Sequence, residues 1–222
     1  IGKDIQRNAE YTKVKQKFVD QWVVAYNAHY QRTGVPVGDS QVEPQLMVNG
    51  QAFVDANNSS GGDMSNVDAP AAVCADNEES NLRDLMLAAG IEMPPGRGEG
   101  SEDRYVYLDT NGNPQEIQVC FRWNPPGTNS GSGNVMEITG LTPDLARFLD
   151  QAVDGQADAW EGNFRQEGIE TGNSSNQAGR QWSANNTFGL GDDQSEDAIP
   201  ATDDALDEEQ IITLTAHYKM NQ

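Results

Sequence analysis

The sequence predicts a single α+β domain in which a long amino-terminal helix lies on an antiparallel β-sheet that carries long polar loops. Three observations predict it. The first 33 residues have no Gly after Gly2 and no Pro, so nothing interrupts a helix there. Residues 116–121 and 212–220 alternate apolar and polar side chains with the period of a half-buried strand. Thr142-Pro143 then opens a second helical pattern between strand-like runs.

The opening helix places Ile1, Ile5, Val14, Phe18, Trp22, Tyr26 and Tyr30 on one stripe, which Val19 and Val23 widen. Gly34 suits the left-handed residue that closes a helix, and Pro36 cannot continue one. Such a helix is about 48 Å long. Residues 2–16 are mostly Lys, Arg, Gln, Asn and Glu, while residues 18–30 are rich in aromatics. A stem is therefore expected, with its later half packed on a body and its start projecting.

Next in the chain, Asn49-Gly50 between short apolar pieces predicts a hairpin turn, and residues 55–70 are polar loop. Ser80 can cap a short helix whose apolar face is Leu82, Leu85, Met86 and Ala89, with Gly90 as its stop. Tyr105-Val106-Tyr107-Leu108-Asp109 leads through Asn111-Gly112 into Glu116-Ile117-Gln118-Val119-Cys120-Phe121, the clearest hairpin in the chain. A third strand over 135–139 precedes the Thr142-Pro143 helix, whose stripe is Leu145, Phe148, Leu149, Ala152 and Val153. Residues 157–165 read as an ordered turn or short strand. The domain thus divides into a stem (1–33), a helix and sheet body (34–165), a polar acidic insertion (166–210) and a closing strand (211–222).

Charge narrows the partners. The chain carries 35 acidic and 14 basic residues, a net charge of -21, and a phosphate backbone would be repelled by that field. No nucleic-acid partner is expected. Residues 1–32 run the other way: Lys3, Arg7, Lys13, Lys15, Lys17 and Arg32 outnumber Asp4, Glu10 and Asp20. A basic stem on an acidic body is suited to dock against neighbouring bodies or an anionic membrane surface. The two cysteines, Cys74 and Cys120, read as one disulfide of an oxidising compartment, closing a loop of about 45 residues worth ~4 kcal/mol; two separate buried thiols are the other reading. No apolar run approaches the roughly 18 residues that span a bilayer. A chain opening on Ile1 and not Met reads as a processed product or a truncated one.

Residues 140–155, Gly-Leu-Thr-Pro-Asp-Leu-Ala-Arg-Phe-Leu-Asp-Gln-Ala-Val-Asp-Gly, followed by Gly162-Asn163-Phe164-Arg165, resemble a pattern common in minor type IV pilins and pseudopilins. In that pattern a strand and a Gly-Leu-x-Pro helix start lead to an Asp-Gly close and a Gly-x-Phe-Arg exit. The opening helix looks like the soluble half of a pilin stem. The resemblance implies a non-enzymatic subunit of a pilus-like or secretion-system filament, periplasmic or extracellular. Its partners would be other pilin or pseudopilin subunits. It would be held in the inner membrane, before assembly, by an apolar segment preceding Ile1. Lys3, Arg7, Lys13 and Lys17 would then form the filament interface.

Chemistry is thinly signalled. His29 and His217 are the two histidines, and no phosphate-loop, dinucleotide, zinc-protease or nucleophile-elbow motif is present. Calcium is the better match, because hard cations take clustered oxygens. The densest set is Asp192, Asp193, Glu196 and Asp197, near Asp203 and Asp204; the others are Asp109 with Asn111 and Asn113, and Asp150, Asp154 and Asp158. An extracellular adhesin is the alternative reading, with Trp182 and Phe188 contacting a sugar or surface protein, and a secreted hydrolase a third.

Overall fold

The computed structural model describes residues 2–34, 36–37, 47–48, 51–52, 82–124, 127–167, 182 and 213–220. Its first element is one continuous rod. α1 (Gly2–Val14) passes through a π-helical segment (Lys15–Val19) into α2 (Asp20–Thr33), and Val14, Val19 and Asp20 all keep right-handed helical backbone angles. Gly34 closes it at φ 79°, its N–H donating to the Tyr30 carbonyl at 2.8 Å. A π-turn admits an extra residue and so rotates the later turns of the helix about its axis. Phe18 and Val19 both turn inward here, and the buried set becomes Tyr11, Val14, Phe18, Val19, Trp22, Ala25, Tyr26 and His29.

Two expectations for this rod are corrected by that set. Tyr11 and Val14 anchor a half that composition reads as nearly coreless, and Ile5, placed on the stripe, is 65% exposed. His29, fully buried, takes the core position expected of Tyr30, which is only half-buried.

The remaining elements are a minimal hairpin of β1 (Met47–Val48) and β2 (Gln51–Ala52), then α3 (Leu82–Ala88), β3 (Arg104–Leu108), β4 (Pro114–Asn124), β5 (Gly133–Leu141), α4 (Pro143–Asp154), β6 (Phe164–Gln166) and β7 (Leu214–Lys219). Pairing of Met47 with Ala52 and Val48 with Gln51 brackets Asn49-Gly50 as expected of a hairpin. Ser80, the expected cap of α3, lies outside the described residues, whereas Leu82, Leu85 and Met86 are buried as the pattern requires.

The main sheet has the order β3-β4-β5-β7-β6, every neighbouring pair antiparallel. β5 and β6 therefore run parallel, joined by α4, with β7 slotted between them. One face carries Tyr105, Tyr107, Ile117, Val119, Phe121, Met136, Ile138, Ala216 and Phe164, and the helix rod lies on it. Phe18 meets Tyr105 (5.3 Å between centroids), Trp22 and Tyr26 meet Phe121 (6.2 and 5.0 Å), and Tyr11 meets Tyr107 and Phe148 (6.5 and 5.7 Å). The Trp22 indole N–H donates to the Glu102 carbonyl at 3.1 Å. Each of these rings contributes roughly 1.5–3 kcal/mol by leaving water, which makes the rod integral to the domain.

The 140–165 stretch folds as a strand–helix–strand unit completed by β7, and most of its motif residues have a physical task. Gly140 sits at φ 82° in a register shift of β5, where a Cβ would stand 2.0 Å from the Glu116 carbonyl oxygen. The Tyr107 hydroxyl donates to the Gly140 carbonyl (2.8 Å) and accepts from the Thr142 N–H (3.0 Å), tying β3 to the start of α4. Thr142 caps α4 by accepting from the Leu145 N–H, with Pro143 at its first position, and Gly155 ends it at φ 82°. Oδ2 of Asp154 accepts the N–H groups of Asn163 and Phe164, and Gly162 leaves the space that carboxylate occupies.

Candidate functional site

Residues 2–6 are all exposed, ahead of the first buried side chain of the rod, Tyr11. Just after this run Arg7, half-buried, reaches Asp4 at 3.2 Å and Asp144 of α4 at 3.6 Å, so one of the four expected interface cations also braces the rod against the body. Lys13 pairs with Glu10 at 3.6 Å. Lys15, not one of the four, is held by Asp20 at 2.8 Å. Lys3 and Lys17 are exposed and have no ion-pair partner among the described residues. Pairs so exposed contribute little to stability, which leaves these cations available to a partner.

Among the described residues, two clefts flank the rod. One of about 530 Å³ lies between its start and the β3–β4 turn, lined by Lys3, Asp4, Arg7, Glu10, Leu108 and Gly112 among others. Here Glu10 accepts the N–H of Leu108 at 3.4 Å, partly covering the free edge of β3. The other, of about 650 Å³, runs between α2 and residues 90–95, with Lys17 at its rim and Val24, 60% exposed, on its wall.

On the sheet face away from the rod is a polar cluster that no sequence motif announces. Alternation places His217 on the polar side of β7, and it does stand there, but only 3% exposed. Its Nε2 is 2.9 Å from Glu137 Oε2, and its Nδ1 lies 2.7 Å from Ser130 Oγ and 3.0 Å from Asn124 Nδ2. Arg122 donates to the same Glu137 oxygen at 2.6 Å. Asn124 Nδ2 also donates to the Gly131 carbonyl (2.8 Å), so its amide bridges the turn and the imidazole. Burial pushes the Glu137 carboxyl up, but the His217 and Arg122 hydrogen bonds and the Arg122 charge outweigh it and hold it below the usual range.

The contact order Ser–His–Glu matches that of a nucleophile, a base and an orienting acid. Ser130 is, however, 6% exposed on a tight turn, and it shares the ring nitrogen with Asn124. The cluster serves as a clamp fastening the 127–131 turn to β4, β5 and β7. Beside it, Cys120 is 6% exposed and its sulfur is in a disulfide. Cys74, the expected partner, lies outside the described residues. Only the pairing of a strand position with residues distant in sequence reveals this cluster, and no local spacing signals it.

In two of the three calcium sets the carboxylates are engaged in other bonds. Among the described residues no group of acids, histidines or cysteines is placed to hold a metal ion. Asp109 commits Oδ1 to the N–H groups of Asn111 and Asn113 and Oδ2 to Gln115, which is a hairpin lock. Asp154 and Asp158 are likewise committed to backbone N–H groups, and Asp150 is buried. The set Asp192, Asp193, Glu196 and Asp197 lies outside the described residues. Trp182, expected to contact a ligand, is fully buried against Phe164 (5.6 Å between centroids) and donates to Asp150. That overturns its role as an exposed sugar platform; Phe188 lies outside the described residues.

No family model matches the chain, and neither a curated protein nor a solved structure does.

Proposed function

We propose that the chain is a non-enzymatic structural subunit of a type IV pilus-like or secretion-system filament, of the minor pilin or pseudopilin kind. The observation that carries this reading is the rod itself. The rod is fixed to the body from Tyr11 onward, by Tyr11, Phe18, Trp22 and Tyr26, while residues 2–6 stand exposed and present Lys3, with Lys17 further along the same rod. A helix held this firmly, with an exposed start, offers neighbouring subunits a rigid handle. The acidic remainder of another copy is the complementary surface for its cations. In this reading Cys74 and Cys120 are paired, the subunit works in the periplasm or outside the cell, and an apolar segment before Ile1 holds it in the inner membrane until assembly.

The test is charge reversal on the handle. The double variant Lys3→Glu and Lys17→Glu should keep the parent's thermal midpoint and lose most of its incorporation into filaments sheared from producing cells. Unchanged incorporation would remove the basis of the reading. An adhesin role would need a surface other than Trp182. The hydrolase reading has the Ser130–His217–Glu137 contact order in its favour, against the burial and sharing of that ring nitrogen.

A further inference from the structure

The cations of this chain are segregated by type as well as by place. It has five lysines, and four of them, Lys3, Lys13, Lys15 and Lys17, are in the first half of the rod; Lys219 is the fifth. Elsewhere arginine supplies the positive charge, and the described arginines of the body are engaged. Arg83 pairs with Glu99 and Glu102, Arg97 and Arg104 with Glu116, Arg122 with Glu137, and Arg147 with Asp144. Arg165 gives its guanidinium to the carbonyls of Gly162 and Asn129. Over the whole chain acids outnumber bases 35 to 14, an excess of 21 carboxylates. Residues 34–81 alone hold eight acids and no Lys or Arg.

We infer that this fold is built for molar salt, with hydrated monovalent cations as the counter-charge that the chain itself does not supply. At ~0.1 M salt the screening length is about 10 Å, so excess carboxylates on adjacent segments repel one another and oppose the compact state. At ~1 M it falls to about 3 Å, and only charges in contact still interact. Contact-range pairs such as Arg122–Glu137 survive that change. A near absence of lysine outside the rod fits the same design, because carboxylates replace long cationic side chains on the surface. The inference rests on charge and pairing and is independent of the filament reading.

The experiment is thermal unfolding of the full chain, followed by circular dichroism from about 0.1 to 2 M NaCl. It is repeated on a variant in which Asp192, Asp193, Glu196, Asp197, Asp203, Asp204, Asp207, Glu208 and Glu209 become the matching amides. The parent midpoint should rise by roughly 10 °C or more over that range, or the parent should fold only at its upper end. The variant should rise by less than half as much, keeping only the general stabilisation by salt excluded from protein surfaces. Sucrose at equal osmolality should not substitute for NaCl in the parent. A flat parent profile, parallel rises in parent and variant, or equal rescue by sucrose would each overturn the inference.

Discussion

The Trp182 indole N–H donates to Oδ2 of Asp150 at 2.6 Å, and neither residue is exposed. The Asp158 N–H donates to the same oxygen, also at 2.6 Å. Burial pushes the Asp150 carboxyl up to about 7, against the pull of those two bonds and with some help from the charges of Asp154 and Asp158. The native state therefore keeps a proton that the unfolded chain releases near pH 4. Linkage then makes this group's contribution greatest below pH 4, falling as pH rises to about 7 and level above it. The change is on the order of 4 kcal/mol. Asp150→Asn should flatten that decline, which chemical denaturation of parent and variant between pH 4 and 8 measures directly. Equal slopes in the two proteins would contradict the assignment.

Gly140 marks the register shift in β5, with backbone one Cβ radius away. Gly140→Ala must move the Glu116 carbonyl and adopt a left-handed φ. It should cost about 2 kcal/mol or more, read as a lower denaturant midpoint with an unchanged slope. Gly155→Ala also meets the left-handed φ penalty but has open space at its Cβ, so it should cost less.

Glu137 holds the clamp on the far face through Arg122 and His217. Its carboxyl is held below its ordinary value, so its contribution is present above the unfolded value and is lost as pH falls through the folded one. Glu137→Gln leaves Arg122 without its charge partner and should cost about 2 kcal/mol at pH 7. The deficit should shrink toward zero in acid. A pH-independent deficit would show that the loss is one of packing.

Sequence periodicity was enough to place the rod, the β3–β4 hairpin, the cap of α4 and the closing strand, because each depends on neighbours a few residues apart. Gly34, Thr142-Pro143 and Gly155 announce their roles through backbone conformation alone. What periodicity missed depends on partners far along the chain. Tyr11 is core because Tyr107 and Phe148 cover it, and the buried face keeps ordinary helical spacing from it through Val14, Phe18, Trp22 and Ala25 to His29, which strict steps of four from Val14 to Tyr30 miss. Trp182 is hidden by Asp150 and Phe164, 32 and 18 positions earlier, which no local polarity scale can register. The Ser130–His217 contact spans 87 positions and exists only because β7 inserts beside β5. Acids at 109, 150, 154 and 158 look like metal ligands in sequence because carboxylates that cap backbone and carboxylates that bind cations share one composition.

The measurement that bears most directly on the rod as a handle is photo-crosslinking from position 5 in producing cells. A benzophenone side chain replaces Ile5, which is 65% exposed, leaving Lys3 in place, and filaments are sheared off and digested for mass spectrometry. The account predicts adducts in the sheared fraction between position 5 and another filament subunit, with a control probe at buried position 26 giving only intramolecular products. Adducts confined to the same chain, or an absence of the protein from sheared filaments, would contradict it.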